Sequence, residues 1–506
     1  MKEKKLFDAL TEVREEYIEE ARTTKLKKQG MGWKKWVAIA ASTVLVIGIS
    51  GTFILHSLYI LGGKKGVFGS GHGESSIFMS YAGPVFPLTL SEADSKITAT
   101  RNILYDFVLP NEGSTRVWGT NVEDSYTLTN SSTEDKTIKA LYPFAGSFNE
   151  LKKNMPTITM NGQEVSPTLF AGGYSGGFTG VHGGKDPDNS YNVLELNSWE
   201  AYKSLLEGGD YQSNAFASHP VLSQQVTVYT FSDFEAPVEY DAATQAISFT
   251  IDPKKTTILQ YGFNGSEIDG EGFRRYSYFV PKGENKSSDK KLLIVIGDDI
   301  TEYSLQGYKN GACKKGNELS GVSATVTRSV GVLSDVMDEL IGNYFDQYDD
   351  GNSLVVSKEM IIGAVSEFMA QYGLLSESVR DRYQTGRIED IISDTNNVKR
   401  IFYLQFEVTI PAGGSVSVIA NMHKKPSFDY ACVDTDNQGI QGYDMVTQLG
   451  SNLSIDELTA ELTSQDHIEI VRQNYGFDLS QGVAKVELDP TKEHYYLEIR
   501  PVESKK

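Results

Sequence analysis

One acidic stretch near the end of the sequence has oxygen-bearing side chains at the spacing of a cation-binding loop. Positions 1, 3, 5 and 11 of an EF-hand-like loop would be Asp434, Asp436, Gln438 and Asp444. Gly439 stands at position 6, where that loop turns sharply, but position 12 is Met445 instead of a bidentate Glu. We therefore treat these four oxygen donors as candidate calcium ligands, with a solvated turn as the alternative. No other cofactor is expected.

A second acidic cluster lies at 346–352 and also lacks the closing Glu. Its members are Asp346, Asp349, Asp350 and Asn352. The same two alternatives, a weak calcium site or a solvated turn, apply to it.

Two features resemble parts of hydrolytic sites. Gly173-Tyr174-Ser175-Gly176-Gly177 fits G-x-S-x-G, but that nucleophile elbow needs a helix directly after the serine. The following Phe-Thr-Gly-Val-His-Gly-Gly is a poor helix former, so we predict a glycine loop and give His182 no role. Asp298 and Asp299 follow a predicted strand, and neighbouring residues on a strand point to opposite sides. We therefore expect no enzyme and assign no catalytic residue.

Aromatic residues and cysteines leave alternatives open. A ligand groove or a hydrophobic core could use the tyrosines Tyr202, Tyr229, Tyr261, Tyr276 and Tyr278, and we expect a core. Cys313 and Cys432 lack the spacing of a metal site. They could form one long-range disulfide or remain free.

An apolar stretch at 36–61 contains no Asp, Glu, Lys or Arg. A helix of this length covers nearly 40 Å at ~1.5 Å per residue, enough to cross a ~30 Å hydrocarbon core. Five lysines lie close before the stretch and two close after it, so the positive-inside rule places residues 1–35 in the cytoplasm. The stretch is too long and begins too late for a cleaved signal peptide. We predict a single-pass cell-membrane protein with an extracellular C-terminus.

Residues 1–35, the N-terminal stub, contain an amphipathic helical pattern at 5–21. Its apolar stripe is formed by Leu6, Leu10, Val13 and Tyr17, and acidic residues fill the opposite face. A lone helix of this length is marginal in water, so the stripe favours a cytoplasmic protein partner. A frayed juxtamembrane segment is the alternative.

The stub KLFDALTEVREEYIEEA, the lysine-rich spacer and GWKKWVAIAA resemble the N-termini of clostridial single-pass membrane proteins with anti-sigma-factor-like stubs. The resemblance covers about the first 60 residues and implies a Gram-positive cell-surface protein whose stub contacts a sigma factor. The stub is much shorter than established anti-sigma domains and lacks their zinc-binding His and Cys residues. Direct sigma inhibition therefore does not follow from the resemblance.

Beyond residue 91, short alternating runs between turn signals predict strands. The runs are 124–129, 136–144, 157–160, 225–231, 246–251, 256–261, 276–280, 291–296, 402–410 and 415–422. Asn161-Gly162 is a hairpin signal. The phrases YTLTN…ALYPF and FEVTIPAGGSVSVIA resemble immunoglobulin-like surface modules in pattern. This spacing favours antiparallel β-sandwich-type extracellular domains, mainly β and α+β overall.

Helical patterns interrupt the strands at about 329–400. Near the C-terminus, Ser454-Ile-Asp-Glu457 has the form of a capping box and predicts a helix at 455–462. A second helix is predicted at 466–474, followed by strands at 483–488 and 495–499.

These signals divide the chain into six segments. We predict a cytoplasmic stub (1–35), a transmembrane helix (36–61), a glycine-rich stalk (62–91), a β-rich domain (92–215), a second β-rich domain with the helical insertion (216–430) and a C-terminal α+β segment (431–506).

Charge bounds the partners. The chain has a formal charge of -20, while residues 1–35 carry ten basic and seven acidic residues, so the remainder carries a net -23. An acidic surface repels phosphate backbones, which argues against nucleic acid. The sequence favours a surface binding or sensing protein that relays to a cytoplasmic partner. A structural or adhesive envelope protein and an extracellular hydrolase are the alternatives.

Overall fold

The computed structural model describes residues 83–502 with gaps at 110–113, 115–116, 177–202, 204–206, 208–209, 220, 270, 286–289, 349–355, 373–374, 376–385, 398 and 430–436. The predicted stub, the apolar stretch 36–61 and the first part of the predicted stalk lie outside these residues. Within the described part, no helix is long and apolar enough to span a bilayer.

Strands dominate the described residues, so the chain is mainly β, as predicted. In chain order the first are β1 (Thr89–Leu90), β2 (Ile97–Asp106), β3 (Thr120–Asn130), β4 (Lys136–Gly146), β5 (Thr157–Met160), β6 (Gln163–Val165) and β7 (Thr168–Gly176). Next come β8 (Gln225–Ala236), β9 (Ala242–Thr250), β10 (Thr256–Tyr261), β11 (Gly265–Ile268), β12 (Phe273–Pro281), β13 (Gly283–Asn285), β14 (Lys291–Gly297), β15 (Tyr303–Tyr308) and β16 (Ser323–Val332). The last are β17 (Lys399–Ile410), β18 (Ser415–Lys424), β19 (Phe428–Asp429), β20 (Gln441–Val446), β21 (Ser454–Thr463), β22 (Ile468–Gln473), β23 (Lys485–Leu488) and β24 (His494–Pro501).

Helices occupy short intervals between these strands. Among the described residues the α-helices are α1 (Phe148–Asn154), α2 (Asp210–Ala215), α3 (Leu333–Tyr348), α4 (Lys358–Glu367), which continues into a π-helical turn at Phe368–Tyr372, and α5 (Ile388–Asn397). Short 3-10 helices lie at Gln465–His467 and Leu479–Gln481. The helices α3, α4 and α5 fall within the predicted helical region at 329–400. Ser357 caps α4 by accepting a hydrogen bond from the backbone N–H of Met360.

The strands of the described residues form five sheets, numbered here I to V. Sheet I has the order β23-β21-β2-β3-β18-β5-β6, sheet II β1-β4-β17-β7, sheet III β19-β20-β24-β22, sheet IV β10-β14-β8-β13 with β16 also on β8, and sheet V β11-β12-β9-β15. Each pair of strands is antiparallel except β2 and β21, which run parallel. The strand β21, which pairs with β2 in sheet I, therefore comes more than 300 residues after β2 in the sequence.

Two cores lie against the same face of sheet I. Alternate residues of β2 are buried, which puts one side of the strand against covering sheets. Ile97 and Ala99 belong to a core shared with sheet II, the helices α1, α3, α4 and α5 and one face of sheet IV. Ile103 and Tyr105 belong to a second core shared with sheet III.

A third core fills the space between sheets IV and V. The central strand β14 is buried on both faces, since Leu293 and Val295 face this third core while Leu292 and Ile294 face the first. This double burial explains why its sequence, KLLIVIG, is a continuous apolar run instead of an alternating one.

Several sequence predictions are confirmed by the strands. The runs after residue 91 fall within β3, β4, β5, β8, β10, β12, β14, β17 and β18, with the run at 246–251 extending one residue past β9. The Asn161-Gly162 hairpin joins β5 to β6, and both residues have positive φ, +49° and +79°. Such angles are what a two-residue hairpin loop of this type requires.

Three local predictions are wrong. The segments predicted as helices at 455–462 and 466–474 are mainly the strands β21 and β22, because pairing with β2 and β24 outweighs the local capping signal. Gly173 and Gly176 lie in β7 and not in a glycine loop. Residues 83–91 were predicted to be part of the stalk but pack against the sheets. Leu88 and Leu90 are buried in the core shared by sheets I and II, and β1 pairs with β4.

Candidate functional site

A cleft opens at the edge where β4 ends and β17 begins. These strands are antiparallel neighbours, and Arg400 lies opposite Gly146, so the end of one strand meets the start of the other. The end of β18, the helix α1 and residues 84–86 complete the walls. Three lysines and one glutamate line it: Glu150, Lys399, Lys424 and Lys425. We call this site the lysine cleft.

Glu150 forms ion pairs with two of the three lysines. Its Oε1 accepts a hydrogen bond from Lys425 Nζ at 2.6 Å, and its Oε2 accepts one from Lys399 Nζ. Burial alone would raise the pKa of Glu150, but the ammonium groups of Lys399 and Lys425 lower it to about 2. The carboxylate is therefore charged throughout the physiological range.

Lys424 is held differently, by backbone carbonyl oxygens. Its Nζ donates to the carbonyl oxygen of Gly83 at 2.7 Å and to that of Lys425 at 3.2 Å. No ion pair joins Lys424 to a carboxylate among the described residues. Burial lowers the pKa of this lysine to about 8, the charge of Asp444 opposes that change, and the charge of Lys399 adds to it.

Lys399 shows the same effect of burial. Its side chain is one quarter exposed. Burial lowers the pKa of Lys399, Glu150 opposes the change, and repulsion from Lys425 adds to it. Because three ammonium groups share one cleft with one carboxylate, the site carries a net charge of +2 in an acidic chain.

Apolar side chains form much of the remaining cleft wall. They include those of Pro84, Phe86, Phe144 and Leu151, while Asn154 and His423 add polar groups. The enclosed cavity volume is about 50 Å³. Since one water needs roughly 10–15 Å³ measured this way, the enclosed part has room for a few waters or one small chemical group.

Residues 83–90 connect the cleft to two sheets. Val85 forms a parallel bridge with Met445 of sheet III, and its N–H donates to the carbonyl oxygen of Asp444 at 2.8 Å. Thr89 and Leu90 then form β1 in sheet II. The segment is thus fixed at both ends, and Lys424 holds its first described residue.

A second polar group lies on sheet III, and we call it the His494 cluster. It contains Asp444, Arg472, His494 and Glu498. His494 Nε2 lies 2.8 Å from Asp444 Oδ2, and Arg472 pairs with Glu498. Burial and the charge of Asp444 raise the pKa of Glu498, Arg472 opposes them, and the result is about 7.

The candidate calcium ligands are only partly described. Asp444 lies buried in β20 against His494, while Gln438 is exposed. Asp434 and Asp436 lie outside the described residues, as do Asp349, Asp350 and Asn352 and the side chain of Asp346. Among the residues that the structure describes, no group of three His, Cys, Asp or Glu side chains could hold a metal ion. Calcium at 434–444 therefore stays a prediction.

Other predicted residues have structural partners. Asp299 accepts hydrogen bonds from the Tyr229 hydroxyl at 2.9 Å and from Arg328 Nε at 2.8 Å, while Asp298 is exposed. The hydrogen bonds described for the Asp299 side chain do not involve Asp298, so the two carboxylates are not held together as a pair. Of the five tyrosines considered in the sequence analysis, the four that the structure describes are buried, as expected for a core: Tyr229, Tyr261, Tyr276 and Tyr278.

Most of the remaining sequence predictions fall outside the described residues. The stripe of Leu6, Leu10, Val13 and Tyr17 lies outside the described residues, as do His182, Tyr202, Cys432 and the side chain of Ser175. Cys313 is a buried free cysteine.

Sequence reasoning missed the lysine cleft. Its charged residues come from the start of α1, the start of β17 and the end of β18, and Glu150 and Lys425 are 275 residues apart. The adjacent pair Lys424-Lys425 after a strand was a weak local signal, but it did not reveal a carboxylate partner.

No protein-family model matches the chain. A search of curated proteins finds no significant similarity.

Proposed function

We propose that the chain is a cell-surface binding or sensing protein of the single-pass type. Residues 36–61 cross the membrane, residues 1–35 lie in the cytoplasm, and antiparallel β-sandwich-type domains lie outside. The uncharged apolar stretch, the lysines before it and the acidic remainder support this arrangement. The lysine cleft is the proposed ligand-binding site.

One observation favours sensing over simple adhesion. The cleft is built partly from residues 84–86, which lie in the sequence between the proposed membrane helix and β1. Lys424 binds the carbonyl oxygen of Gly83 from within the cleft. A ligand that binds the remaining N–H of the Lys424 ammonium would shift that ammonium and so alter its hydrogen bond to Gly83. Occupancy of the cleft would then change how the body holds the segment that leads to the membrane.

The topology is tested by protease treatment of intact cells that produce the full chain with an epitope at each end. The C-terminal epitope should be lost while the N-terminal epitope survives until the cells are lysed. Survival of the C-terminal epitope on intact cells would refute the proposed arrangement.

The relay is tested at the stub. A peptide of residues 1–35 should recover a cytoplasmic protein, with a sigma factor as the first candidate because of the resemblance at the N-terminus. Leu10→Asp combined with Tyr17→Asp should abolish the recovery, since charge cannot be buried in an apolar contact. Equal recovery by both peptides would favour an envelope protein whose stub only anchors it.

A further inference from the structure

We propose that the lysine cleft binds a compact oxyanion, the carboxylate or phosphate end group of a larger molecule, with Lys424 as its central donor. This inference rests on the proposed function for its biological meaning, because it names the ligand class of the proposed binding site. Four features of the cleft lead to it: the count of hydrogen-bond donors, the charge balance, the size and the apolar wall.

Lys424 has one N–H donor left for a ligand. A lysine ammonium has three N–H donors. Two of them are accounted for by the carbonyl oxygens of Gly83 and Lys425. Both acceptors are neutral, so the positive charge of Lys424 is not balanced by direct contact with a described carboxylate. An anionic oxygen would supply a charge-assisted hydrogen bond, which is stronger than a neutral one.

The charge balance of the cleft also favours an anion. The single carboxylate of Glu150 is shared between Lys399 and Lys425. The charges of Lys399 and Lys425 each lower the pKa of a neighbouring lysine, which shows that the ammonium groups repel one another. A bound anion would lower this repulsion, whereas a cation would increase it. A polyanion such as nucleic acid is disfavoured by the formal charge of -20 on the chain.

The size and wall of the cleft restrict the rest of the ligand. A cavity volume of about 50 Å³ accepts a head group but no large molecule. Phe86, Phe144 and Leu151 line the cleft, and an apolar group next to the anion would cover them. We therefore expect an aromatic or aliphatic oxyanion to bind more tightly than a bare one.

Binding is measured by calorimetric titration of the purified full chain in detergent micelles at pH 6.5 and constant ionic strength. The probes are acetate, benzoate, inorganic phosphate and phenyl phosphate, with chloride as the reference. We expect roughly millimolar dissociation constants, as is usual for isolated head groups, and tighter binding of benzoate than of acetate. The two phenyl probes decide between a carboxylate and a phosphate source. No binding of any probe above chloride would overturn the proposal.

Three variants test the assignment to Lys424. Lys424→Gln should weaken binding by about tenfold, because it removes the charge but keeps a polar side chain. Lys485→Gln is the matched control, since Lys485 is an exposed lysine that pairs with Glu461 on β21. Glu150→Gln should have the opposite effect and tighten binding, because it raises the net charge of the cleft from +2 to +3. Equal affinity of Lys424→Gln and Lys485→Gln, or no tightening by Glu150→Gln, would overturn the proposal.

The pH dependence gives an independent check. Affinity should fall as the pH rises through 8, where Lys424 loses its proton. The other titratable groups around it are Glu150, Lys399, Lys425, His423 and the more distant Asp444. Lys424→Gln should lose this dependence between pH 7 and 9, and an unchanged profile would contradict the role of Lys424. Because these measurements need no membrane orientation, a negative result here and a negative protease result remain distinguishable.

Discussion

Arg101 and Asp124 form a buried ion pair at the junction of the two cores that cover sheet I. Arg101 Nε and Nη2 donate to the two oxygens of Asp124 at 2.7 and 2.9 Å, and both side chains are inaccessible to solvent. Arg101 also donates to the carbonyl oxygens of Phe86 and Val446. Asp124 accepts from two tyrosine hydroxyls, those of Tyr126 and Tyr142. The pair therefore joins β2 and β3 to the segment before β1 and to β20.

Asp124→Asn should strongly destabilise the fold. The substitution keeps the shape of the side chain but leaves the Arg101 charge buried without a counter-charge. Breaking a buried pair in this way typically costs about 3–5 kcal/mol. The measurement is the free energy of unfolding in urea. Arg275→Met is the control, because Arg275 and Glu267 form a partly exposed pair, and it should cost less than about 1 kcal/mol. Equal losses in the two variants would mean that Arg101–Asp124 has no special role.

Glu498→Gln should change how stability depends on pH. The pKa of Glu498 is about 7 in the fold, above its ordinary value of 4.5, so the folded chain holds this proton more tightly than the unfolded chain. The stability that this proton contributes is complete below pH 4.5 and is lost as the pH rises through 7. The difference corresponds to about 3 kcal/mol.

Urea unfolding of both proteins at pH 5 and pH 8 measures this effect. Wild-type stability should fall relative to Glu498→Gln as the pH rises, because only the wild type loses the Glu498 proton in this range. Glu487→Gln, at an exposed position of β23, should follow the wild type. A constant difference between wild type and Glu498→Gln across this range would show that the Glu498 pKa is not raised.

Lys424→Met should keep or raise stability at pH 7. The lowered pKa of Lys424 means that the unfolded chain binds this proton more tightly than the fold does. The resulting cost is fully present below pH 8 and disappears as the pH rises towards 10.5. After allowing for the lost hydrogen bonds to Gly83 and Lys425, we expect a gain of about 1–2 kcal/mol at pH 7 that shrinks at pH 9.5.

The contrast with Lys399→Met makes this prediction specific. Burial lowers the pKa of Lys399 as well, but Lys399 pairs directly with Glu150, and its loss would leave that partly buried carboxylate with Lys425 as its one ion-pair partner. Because Lys399 and Lys425 together lower the pKa of Glu150 to about 2, the loss of Lys399 should lower the free energy of unfolding. A lysine whose removal stabilises the fold while weakening ligand binding is retained for binding. If Lys424→Met destabilises the protein as much as Lys399→Met does, Lys424 serves the fold instead.

Gly162→Ala should destabilise the β5–β6 hairpin by about 1 kcal/mol, because Gly162 has φ +79°, a conformation that a residue with a Cβ adopts only under strain. An added Cβ would have no atom within 4 Å, so it would not collide with any neighbour. The cost is therefore one of backbone conformation and not of collision. Gly331→Ala, in β16 with ordinary φ and no close contact, is the control and should cost no more than a few tenths of a kcal/mol. Thermal unfolding compares the two, and equal effects would contradict the turn assignment.

The strands were predicted well because the turns and the alternation of apolar and polar residues that define them are visible within a few consecutive residues. The Asn161-Gly162 turn and the alternation along β3 and β18 need only short-range sterics and one buried face. The capping-box signal at Ser454-Ile-Asp-Glu457 failed for the opposite reason. Leu458, Ala460 and Leu462 are buried on one face of β21, and their partner strand β2 is far away in the sequence.

The lysine cleft could not be predicted from such signals. Glu150 and Lys425 meet only because sheets I and II stack with α1 at their edge. Each residue has an ordinary local setting, a first helical turn for Glu150 and a strand end for Lys425. The site forms only when the strands are arranged in their sheets, and local sequence patterns do not reveal that arrangement.

The parallel pairing of β2 with β21 also constrains biosynthesis. The Thr459 hydroxyl donates a hydrogen bond to Asn102, which lies 357 residues earlier in the sequence. One edge of β2 therefore has no partner strand until those residues have been synthesised. At ribosomal rates of about 5–20 residues per second the wait is roughly 20–70 seconds. An open edge of this kind is prone to pair with other chains until the C-terminal strands emerge.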